Sequence, residues 1–497
     1  MQGLLESGTP VDVIHLTRSG DATHARLLKA TTSKNYATIT SDGVEGFDLP
    51  REGFIYRSRR DATIDPATHR RPGPEPSGVA AVHTETAFVL TILVLCYAMV
   101  SGLIRRWYLA PALIFVAVGA IMGRFGIGLV NVGEHTAAFT VLAQLALTVI
   151  LFNQASMLDL RALLRARRVP LRLLAIGMPV SVAFGTATAV VLLPLLPFWE
   201  AVCLAVIVAP TEVALIDALV EDRRIPERAR HALSAESGFY DGFALAALLA
   251  ALAFASERTD HAPGRWAWFA IRTELVSVGV GAIIGLIGAT VISRFSARGW
   301  MSDTWAQLAT LALALVCFGI GERLHASGFV TAFAGGLAYA TVSPRSEAKP
   351  AMTQVSDAAG EVLELLVFAL FGGFAVIPAW RDVGWPVVVF AVVALFVVRV
   401  AAVSIALAGS GVSVRSKLFM GWFGPRGIGS LVLGLLVIEQ GDIHQGALIK
   451  QAVVVIVTIS LLIHSLTAPV GIRLCQPPHR RELSPAADAG GADQRAC

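Results

Sequence analysis

Long apolar runs follow one another along most of this 497-residue chain, from Thr86 to Val470. A helix of roughly 20 residues crosses a hydrocarbon core of about 30 Å, and most of these runs are about that long. Segments that cross lipid must pair their backbone groups internally, so they are either helices or strands of closed barrels. These runs are too long and too continuous for barrel strands. The pattern therefore predicts an all-α polytopic membrane protein.

Length and hydropathy indicate about thirteen transmembrane spans. They cover residues 86–104, 108–128, 137–157, 171–195, 198–219, 237–255, 269–293, 303–321, 326–342, 357–379, 385–409, 414–438 and 447–470. The connections after odd-numbered spans are richer in Lys and Arg than the others, and the C-terminal tail contains "HRRE". Because positively charged loops stay in the cytoplasm, we expect a multi-pass protein of the cell (inner) membrane with a cytoplasmic C-terminus.

The first 82 residues differ from the rest of the chain. They are polar, carry charges of both signs and end in the breaker-rich stretch "HRRPGPEPSG". The pieces "VDVIHLT" and "GFIYRS" read as short strands. Two interpretations stay open: a small native domain, which would have to cross the membrane without a leader, or a start site assigned too far upstream. The expected division is 1–82 for this extension, 83–473 for the transmembrane domain and 474–497 for a short cytoplasmic tail.

Composition excludes several classes of function. Hydrophobic residues make up 55% of the chain and charged residues only 15%, against about 25% in soluble domains. The net charge of +4 reflects basic loops, and no segment interleaves aromatic and basic residues as nucleic-acid binders do. The five cysteines lack metal-ligand spacing, and no nucleophile–base set is visible. We expect no nucleic-acid partner, no cofactor and no enzymatic activity.

Span five reads "AVCLAVIVAPTEVALIDALV", in which Pro210 interrupts an otherwise regular apolar helix. Thr211 and Glu212 follow near mid-membrane, where ionisable residues are costly and usually functional. Irregular backbone at that depth occurs only where protein buries it or where it lines a wet cavity. Freed carbonyls, a hydroxyl and a carboxylate suit a hard cation. The alternative is a proline kink beside a stray acid.

Span six begins with "SAESGFYDGFALAALLA". Ser237 and Asp241 are spaced i, i+4 and share one helical face, while Glu236 points elsewhere. This separation predicts that Asp241 and Ser237 face a cavity and that Glu236 faces a structural partner. The alternative for Glu236 is an acid near a helix N-terminus, stabilised by the helix dipole.

Span twelve, "LFMGWFGPRGIGSLVLGLLVI", is also interrupted, with Pro425 and Arg426 in the break. A buried guanidinium needs a carboxylate, and Glu236 is the predicted partner, which leaves Asp241 free. Interrupted helices at matching places in two halves of a transporter point to its binding site. Spans five and twelve therefore predict an inverted repeat with two broken helices.

Other polar residues within the spans give weaker signals. Arg399 in "FVVRVAAV" is expected to pair with Glu361 or Glu364 at the head of span ten. His464 is a lone histidine in an apolar run and is expected to pack as a neutral side chain. Gln154 ends span three as an uncharged polar group.

Three stretches together resemble one family, the monovalent cation:proton antiporters of the sodium/hydrogen exchanger type found in bacteria and archaea. They are "APTEVALIDALVEDRRIPERARHALSAESGFYDGFALAALL", "LFNQASMLDLRALLR" and "GWFGPRGIGSLVLGLL". They are similar to the family's broken fifth helix with the start of the sixth, to the end of its third and to its broken twelfth. The likeness covers roughly residues 86–473 and implies a homodimer with a mobile core domain and a dimerisation domain.

The resemblance also implies a role for each matched residue. Asp241 corresponds to a carboxylate that binds the cation and the proton in competition, and Glu236 with Arg426 corresponds to a buried structural ion pair. The transported ion, Na⁺ or else Li⁺ or K⁺, would be bound by Asp241, Thr211, Ser237 and Glu212. The residues adjacent to this site are Tyr240, Pro210 and Pro425.

Two departures from the family's pattern bear on activity. Glu212 stands where the family has Asp, which keeps the charge on a longer arm. Tyr240 stands where an Asn precedes the key Asp, and its hydroxyl can preserve one hydrogen bond. The resemblance to the single-Asp branch implies electroneutral exchange by alternating access. The alternatives are a membrane sensor or scaffold that keeps the fold without transport, and an anion or solute carrier in which Arg426 clamps the substrate.

Overall fold

The computed structural model describes residues 11–19, 22–33, 36–44, 53–58, 77–107, 109–130, 137–157, 169–212, 225, 227–255, 263–342, 349–439 and 443–475. The chain forms two compact units, residues 1–78 and 79–497. Most of the predicted tail, residues 476–497, lies outside the described part of the chain. The predicted division at 82 and 473 therefore stays a prediction.

The N-terminal unit contains a four-stranded antiparallel sheet of order β3-β2-β1-β4. Its strands are β1 (Val11–Ser19), β2 (Ala22–Ser33), β3 (Tyr36–Val44) and β4 (Gly53–Ser58). Strand β1 pairs with β2, where Val13 lies opposite Leu28, and with β4, where Ile14 lies opposite Ile55. The two stretches that read as short strands in the sequence are therefore neighbours in one sheet.

The second unit is built from helices. In chain order they are α1 (Ser77–Arg106), α2 (Pro111–Met122), α3 (Ala137–Met157), α4 (Val169–Leu192), α5 (Phe198–Val208), α6 (Glu227–Ala255), α7 (Pro263–Ala297), α8 (Asp303–Arg323), α9 (Gly328–Val342), α10 (Lys349–Phe371), α11 (Trp385–Ala406), α12 (Val414–Trp422), α13 (Ile428–Glu439) and α14 (Gly446–Cys475). A π-helical segment, Gly372–Val376, and a short helix, Ile377–Arg381, continue α10. Two further π-helical segments lie inside helices, Leu173–Gly177 in α4 and Val393–Val398 in α11. Such segments are frequent at functional sites.

Among the residues that the structure describes, eight helices are long and apolar enough to cross a membrane. They are Glu85–Ile104, Phe139–Met157, Val169–Leu192, Arg272–Ala297, Asp303–Arg323, Thr353–Arg381, Trp385–Ala406 and Gly446–Arg473. The shorter apolar helices are Pro111–Met122, Phe198–Val208, Phe243–Leu252, Gly328–Val342 and Ile428–Ile438. Each predicted span overlaps one of these helices. The chain is therefore a multi-pass membrane protein, while the total of thirteen spans and the inverted repeat stay predictions.

Glycines let helix α9 touch two other helices backbone to backbone. A Cβ added at Gly285 of α7 would overlap the carbonyl of Gly335 in α9, and one added at Gly336 would overlap the carbonyl of Phe152 in α3. Small residues at such contacts are typical of membrane helices, which associate through close van der Waals packing rather than through the hydrophobic effect. Helices α3, α7 and α9 therefore form one closely packed group.

A buried carboxylate ties the start of α5 to the start of α14. Glu200, in the first turn of α5, is only 1% exposed. It accepts hydrogen bonds from the backbone N–H groups of His444 and Gln445, at 2.8 and 3.0 Å. Because these N–H groups lie just before α14 and negative charge is favourable at a helix N-terminus, Glu200 stabilises that end while it holds α5 beside it.

Candidate functional site

Helix α5 ends inside span five. It runs to Val208, and Pro210, Thr211 and Glu212 after it are non-helical and buried. Pro210 accounts for the ending, because its ring removes a backbone donor and clashes with the preceding turn. Thr211 and Glu212 are each 2% exposed; residues 213–220 lie outside the described part of the chain. The sequence thus places a hydroxyl and a carboxylate in the protein interior directly after this helix end.

Span twelve also contains non-helical backbone. Helix α12 ends at Trp422 and α13 begins at Ile428, and the residues between them, 423–427, are buried. Glycine at position 424 allows a close approach, because a Cβ there would lie 2.7 Å from Nε of Arg399 and 3.0 Å from Cγ2 of Thr211. The interruption therefore lies directly against Arg399 and against the end of α5.

The backbone after α5 and the interruption of span twelve contact each other. The N–H group of Glu212 donates to the carbonyl of Pro425 at 2.8 Å. The hydroxyl of Ser430, in the first turn of α13, donates to the carbonyl of Ile207 at 2.8 Å. Buried backbone groups released at a helix end must find other partners, and here each span supplies partners for the other. The proline-marked positions of the two spans therefore meet in one place.

Gln154 of α3 brings a third element to this place. Its Nε2 lies 3.5 Å from Oε1 of Glu212, at the long limit of a hydrogen bond. Among the described residues, neither Oε1 of Gln154 nor Oγ1 of Thr211 has a hydrogen-bond partner, and both atoms are buried. Oxygen atoms with spare lone pairs are the ligands that hard cations prefer. The sequence gives Gln154 only as the polar end of span three, with nothing local to indicate that it reaches Glu212.

Glu236 of α6 forms a buried ion pair with Arg399 of α11. The two residues are 2% and 1% exposed, and each charge needs the other at that depth. The expectation that Arg399 pairs with Glu361 or Glu364 is corrected by this contact. The guanidinium carbon of Arg399 also lies 5.9 Å from the ring centroid of Tyr240, within the range of a cation–π interaction.

Arg426 lies within the interruption and is 2% exposed. Its backbone N–H donates to Oγ of Ser460 at 2.7 Å, and its Nη1 donates to the carbonyl of Gly424 at 3.0 Å. The ion pair that the structure describes for Glu236 uses Arg399 instead. The predicted pairing of Glu236 with Arg426 therefore stays a prediction.

Tyr240 connects α6 to the π-helical segment of α4. Its side chain is fully buried, and its hydroxyl donates to the carbonyl of Leu173 at 2.7 Å. The same carbonyl accepts the backbone N–H of Met178, so it is doubly paired. The space for the hydroxyl depends on Gly177, where an added Cβ would lie 3.0 Å from it. Tyr240 therefore provides a hydrogen bond at the position next to Asp241, and its acceptor is backbone.

We expect Tyr240→Phe to lower the free energy of unfolding by about 1 kcal/mol, the net value of one buried hydrogen bond. The ring stays in place, so packing against Arg399 is kept. Thermal denaturation of the purified protein in detergent measures the change. Tyr339→Phe is the matched control, because the contact of the Tyr339 hydroxyl within the described part of the chain is a long one, 3.5 Å to Thr310. Equal shifts for the two variants would contradict the expectation.

Asp241 and Ser237 lie on α6, the helix that carries Glu236 and Tyr240. Their side chains fall outside the described residues. Their predicted roles as cation and proton ligands therefore stay predictions. For the rest of the predicted site, the structure shows that Thr211 and Glu212 contact the interruption of span twelve.

Known proteins are similar to this chain in its helical unit. The family model described as sodium/hydrogen exchanger, transmembrane, matches residues 90–471. A probable Na⁺/H⁺ antiporter of Schizosaccharomyces pombe is 28% identical over 71% of this chain and 48% of its own length. The K⁺/H⁺ antiporter NhaP of Alkalimonas amylolytica is 25% identical over 70% of this chain and 60% of its own. The chain spans about half the length of the curated relatives it matches.

Among solved structures, the sodium proton antiporter MjNhaP1 of Methanocaldococcus jannaschii is similar to this chain. The TM-score is 0.65 at 18% sequence identity, and the alignment covers 78% of this chain and 100% of the other. At this identity the likeness concerns the fold, and it agrees with the helical architecture of the second unit. Because the family model covers most of the chain, from residue 90 to residue 471, the protein belongs to the sodium/hydrogen exchanger family of transmembrane proteins.

Proposed function

We propose that this protein is a secondary transporter that exchanges Na⁺, or another monovalent cation, for H⁺ across the membrane. Relatives that it resembles are named as Na⁺/H⁺ and K⁺/H⁺ antiporters. The observation that supports the proposal best is the hydrogen bond from Glu212 to Pro425, which joins two spans beside buried oxygens of Thr211 and Gln154. Non-helical backbone in the membrane interior is where transporters bind coupling ions.

Asp241 carries the proton and the cation in turn in this proposal. A carboxylate that is protonated has lost the charge that attracts a cation, so the two ligands compete. A bare carboxylate is costly to move through the membrane interior, so the site changes sides only when it is loaded. Alternating access then makes exchange obligatory, and one shared acid makes it electroneutral. Thr211, Ser237 and Glu212 complete the oxygen ligands.

The proposed setting is a homodimer in the cell (inner) membrane with its C-terminus in the cytoplasm. The orientation rests on the Lys- and Arg-rich connections after odd-numbered spans, which stay on the cytoplasmic side of a bilayer. The dimer rests on the family resemblance. The partners are therefore the lipid bilayer, a second copy of the chain, a monovalent cation and H⁺.

Everted vesicles that contain the protein test the proposal. Respiration acidifies the vesicle interior and quenches a dye that responds to the pH gradient, and Na⁺, Li⁺ or K⁺ is then added separately. We expect at least one cation to restore the fluorescence, because exchange removes protons from the interior. Vesicles without the protein give the background. If folded protein is present in the membrane and none of the cations restores the fluorescence at any pH, the result favours the non-transporting sensor or scaffold.

A further inference from the structure

The interruption of span twelve leaves backbone groups at its two ends without regular helical hydrogen bonds, and side chains of α14 bind to these groups. Helix α12 ends at Trp422, and Arg426 lies just before α13. The carbonyl at the first end and the N–H group at the second cannot form regular helical hydrogen bonds across the break. Without water or a protein partner, such groups are costly in the membrane interior. One face of the neighbouring helix α14 supplies a partner for each of the two groups.

Ser460 and His464 of α14 supply these partners. They are spaced i, i+4, so they share one helical face, and they are 0% and 2% exposed. Oγ of Ser460 accepts the N–H of Arg426 at 2.7 Å. Nε2 of His464 lies 2.8 Å from the carbonyl oxygen of Trp422. The two side chains therefore connect both ends of the interruption to the same helix; the carbonyl of Trp422 also accepts the N–H of Gly424 at 3.0 Å.

Two carbonyl oxygens, those of Ser460 and Trp422, face the imidazole of His464, and a neutral ring can donate to only one of them. A carbonyl oxygen only accepts, so the bond to Trp422 requires the proton on Nε2 of His464. In that tautomer Nδ1 is an acceptor, and Oγ of Ser460, 3.2 Å away, can donate to it while it accepts from Arg426. Nδ1 also lies 2.7 Å from the carbonyl of Ser460, to which it could donate in the other tautomer or as an imidazolium. In the Nε2–H form, a continuous chain of hydrogen bonds runs from Arg426 to Trp422.

Aromatic packing fixes the imidazole in this position. The ring of His464 stacks on Phe396 at 5.8 Å between centroids and lies 6.3 Å from the ring of Phe423. Phe396 belongs to the π-helical segment Val393–Val398, which directly precedes Arg399. The histidine therefore lies between the interruption and the helix whose arginine pairs with Glu236.

We propose that Ser460 and His464 are positioning residues of the cation site. They hold the two ends of the interruption, and this keeps the Pro425 carbonyl where it accepts the N–H of Glu212. The inference rests on the proposed function, because it assigns these residues an effect on the cation through the backbone of span twelve. The proposal gives neither side chain the role of a cation ligand.

Hydrogen–deuterium exchange of the purified protein tests the contact without any transport. Ser460→Ala removes the acceptor for the amide of Arg426, so a peptide that covers residues 424–428 should take up deuterium at least several times faster than in the wild type. Ser460→Thr keeps the hydroxyl and should restore protection. Thr458→Val is the control, because the Thr458 hydroxyl bonds to its own helix and to Trp380. Unchanged exchange in Ser460→Ala would overturn the proposal.

Exchange kinetics then separate positioning from general stability. For folded protein in proteoliposomes, we expect His464→Phe to raise the KM for the cation about tenfold, the effect of losing one buried hydrogen bond. His464→Gln, whose amide can donate from the place of Nε2, should restore the KM, whereas His464→Asn should not. An unchanged KM in His464→Phe overturns the positioning role. A wild type without cation exchange refutes the proposed function instead, and deuterium uptake then still decides whether the contact holds the interruption.

Discussion

Asp241→Asn is expected to abolish cation-driven proton flux in everted vesicles, with a response no larger than that of vesicles without the protein. The amide has nearly the shape of the carboxyl group but neither takes up a proton nor balances a cation near neutral pH. If one acid is shared by both ligands, its loss removes binding and coupling together. The dye response to Na⁺, Li⁺ and K⁺, measured at equal protein content in the membrane, is the readout.

Asp303→Asn is the matched control for this variant. Asp303 begins α8, is exposed and lies in the first turn of its helix, so the same chemical change there should leave flux near the wild-type level. Persistent Na⁺-dependent fluorescence recovery in Asp241→Asn would refute the shared-acid mechanism. Glu212, a buried carboxylate at the meeting of the two spans, would then be the first alternative to test.

Arg399→Met is expected to produce the largest loss of stability. The substitution leaves the carboxylate of Glu236 in the interior without the arginine that contacts it, and breaking a buried ion pair from one side costs about 3–5 kcal/mol. We expect a strong fall in the yield of folded protein and in the temperature of unfolding in detergent. Replacing both partners, with Glu236→Gln added to Arg399→Met, should recover part of the loss, because the isolated charge is gone.

Arg381→Met provides the control, since Arg381 is exposed at the end of the helix that continues α10. Its replacement should change the unfolding temperature little, as surface substitutions do. An Arg399→Met protein that is as stable as this control would contradict the assigned role. A larger loss in Arg426→Met than in Arg399→Met would instead favour Arg426, the partner of Glu236 that the sequence predicts.

The membrane architecture is readable from the sequence because it depends on local properties. Length and hydropathy of each apolar run decide whether it can cross lipid, whatever its neighbours are. Pro210 and Pro425 mark where the helical pattern fails, since proline acts on its own turn of backbone. These two places touch through Glu212 and the Pro425 carbonyl. In the sequence, only the expected repeat suggests this contact, because nothing in the neighbouring residues indicates it.

Which arginine pairs with Glu236 does not follow from local properties of the sequence. Two arginines, Arg399 and Arg426, lie in apolar runs, and both satisfy the rule that a buried guanidinium needs a carboxylate. The sequence favours Arg426 because it lies in a visible interruption; the structure shows a contact of Glu236 with Arg399 of α11, and the pairing with Arg426 stays a prediction. Which helix packs against α6 at that level is decided by tertiary packing, so charge alone could not select the partner.

The residues around His464 could not be predicted from the sequence either, because they too are set by tertiary packing. His464 is expected to pack as a neutral side chain, and nothing in the apolar run singles out Ser460, four residues before it. What the pair faces is the broken backbone of another span, at Trp422 and Arg426. Likewise, Gln154 reaches Glu212 only because α3 lies beside the end of α5 in three dimensions.

The glycine contacts of α9 limit which parts of the protein can move. Gly335 meets α7 at Gly285, and Gly336 meets the carbonyl of Phe152 in α3, so no clearance separates these backbones. We therefore expect helices α3, α7 and α9 to move together in the proposed transport cycle, and Gln154 to move with them.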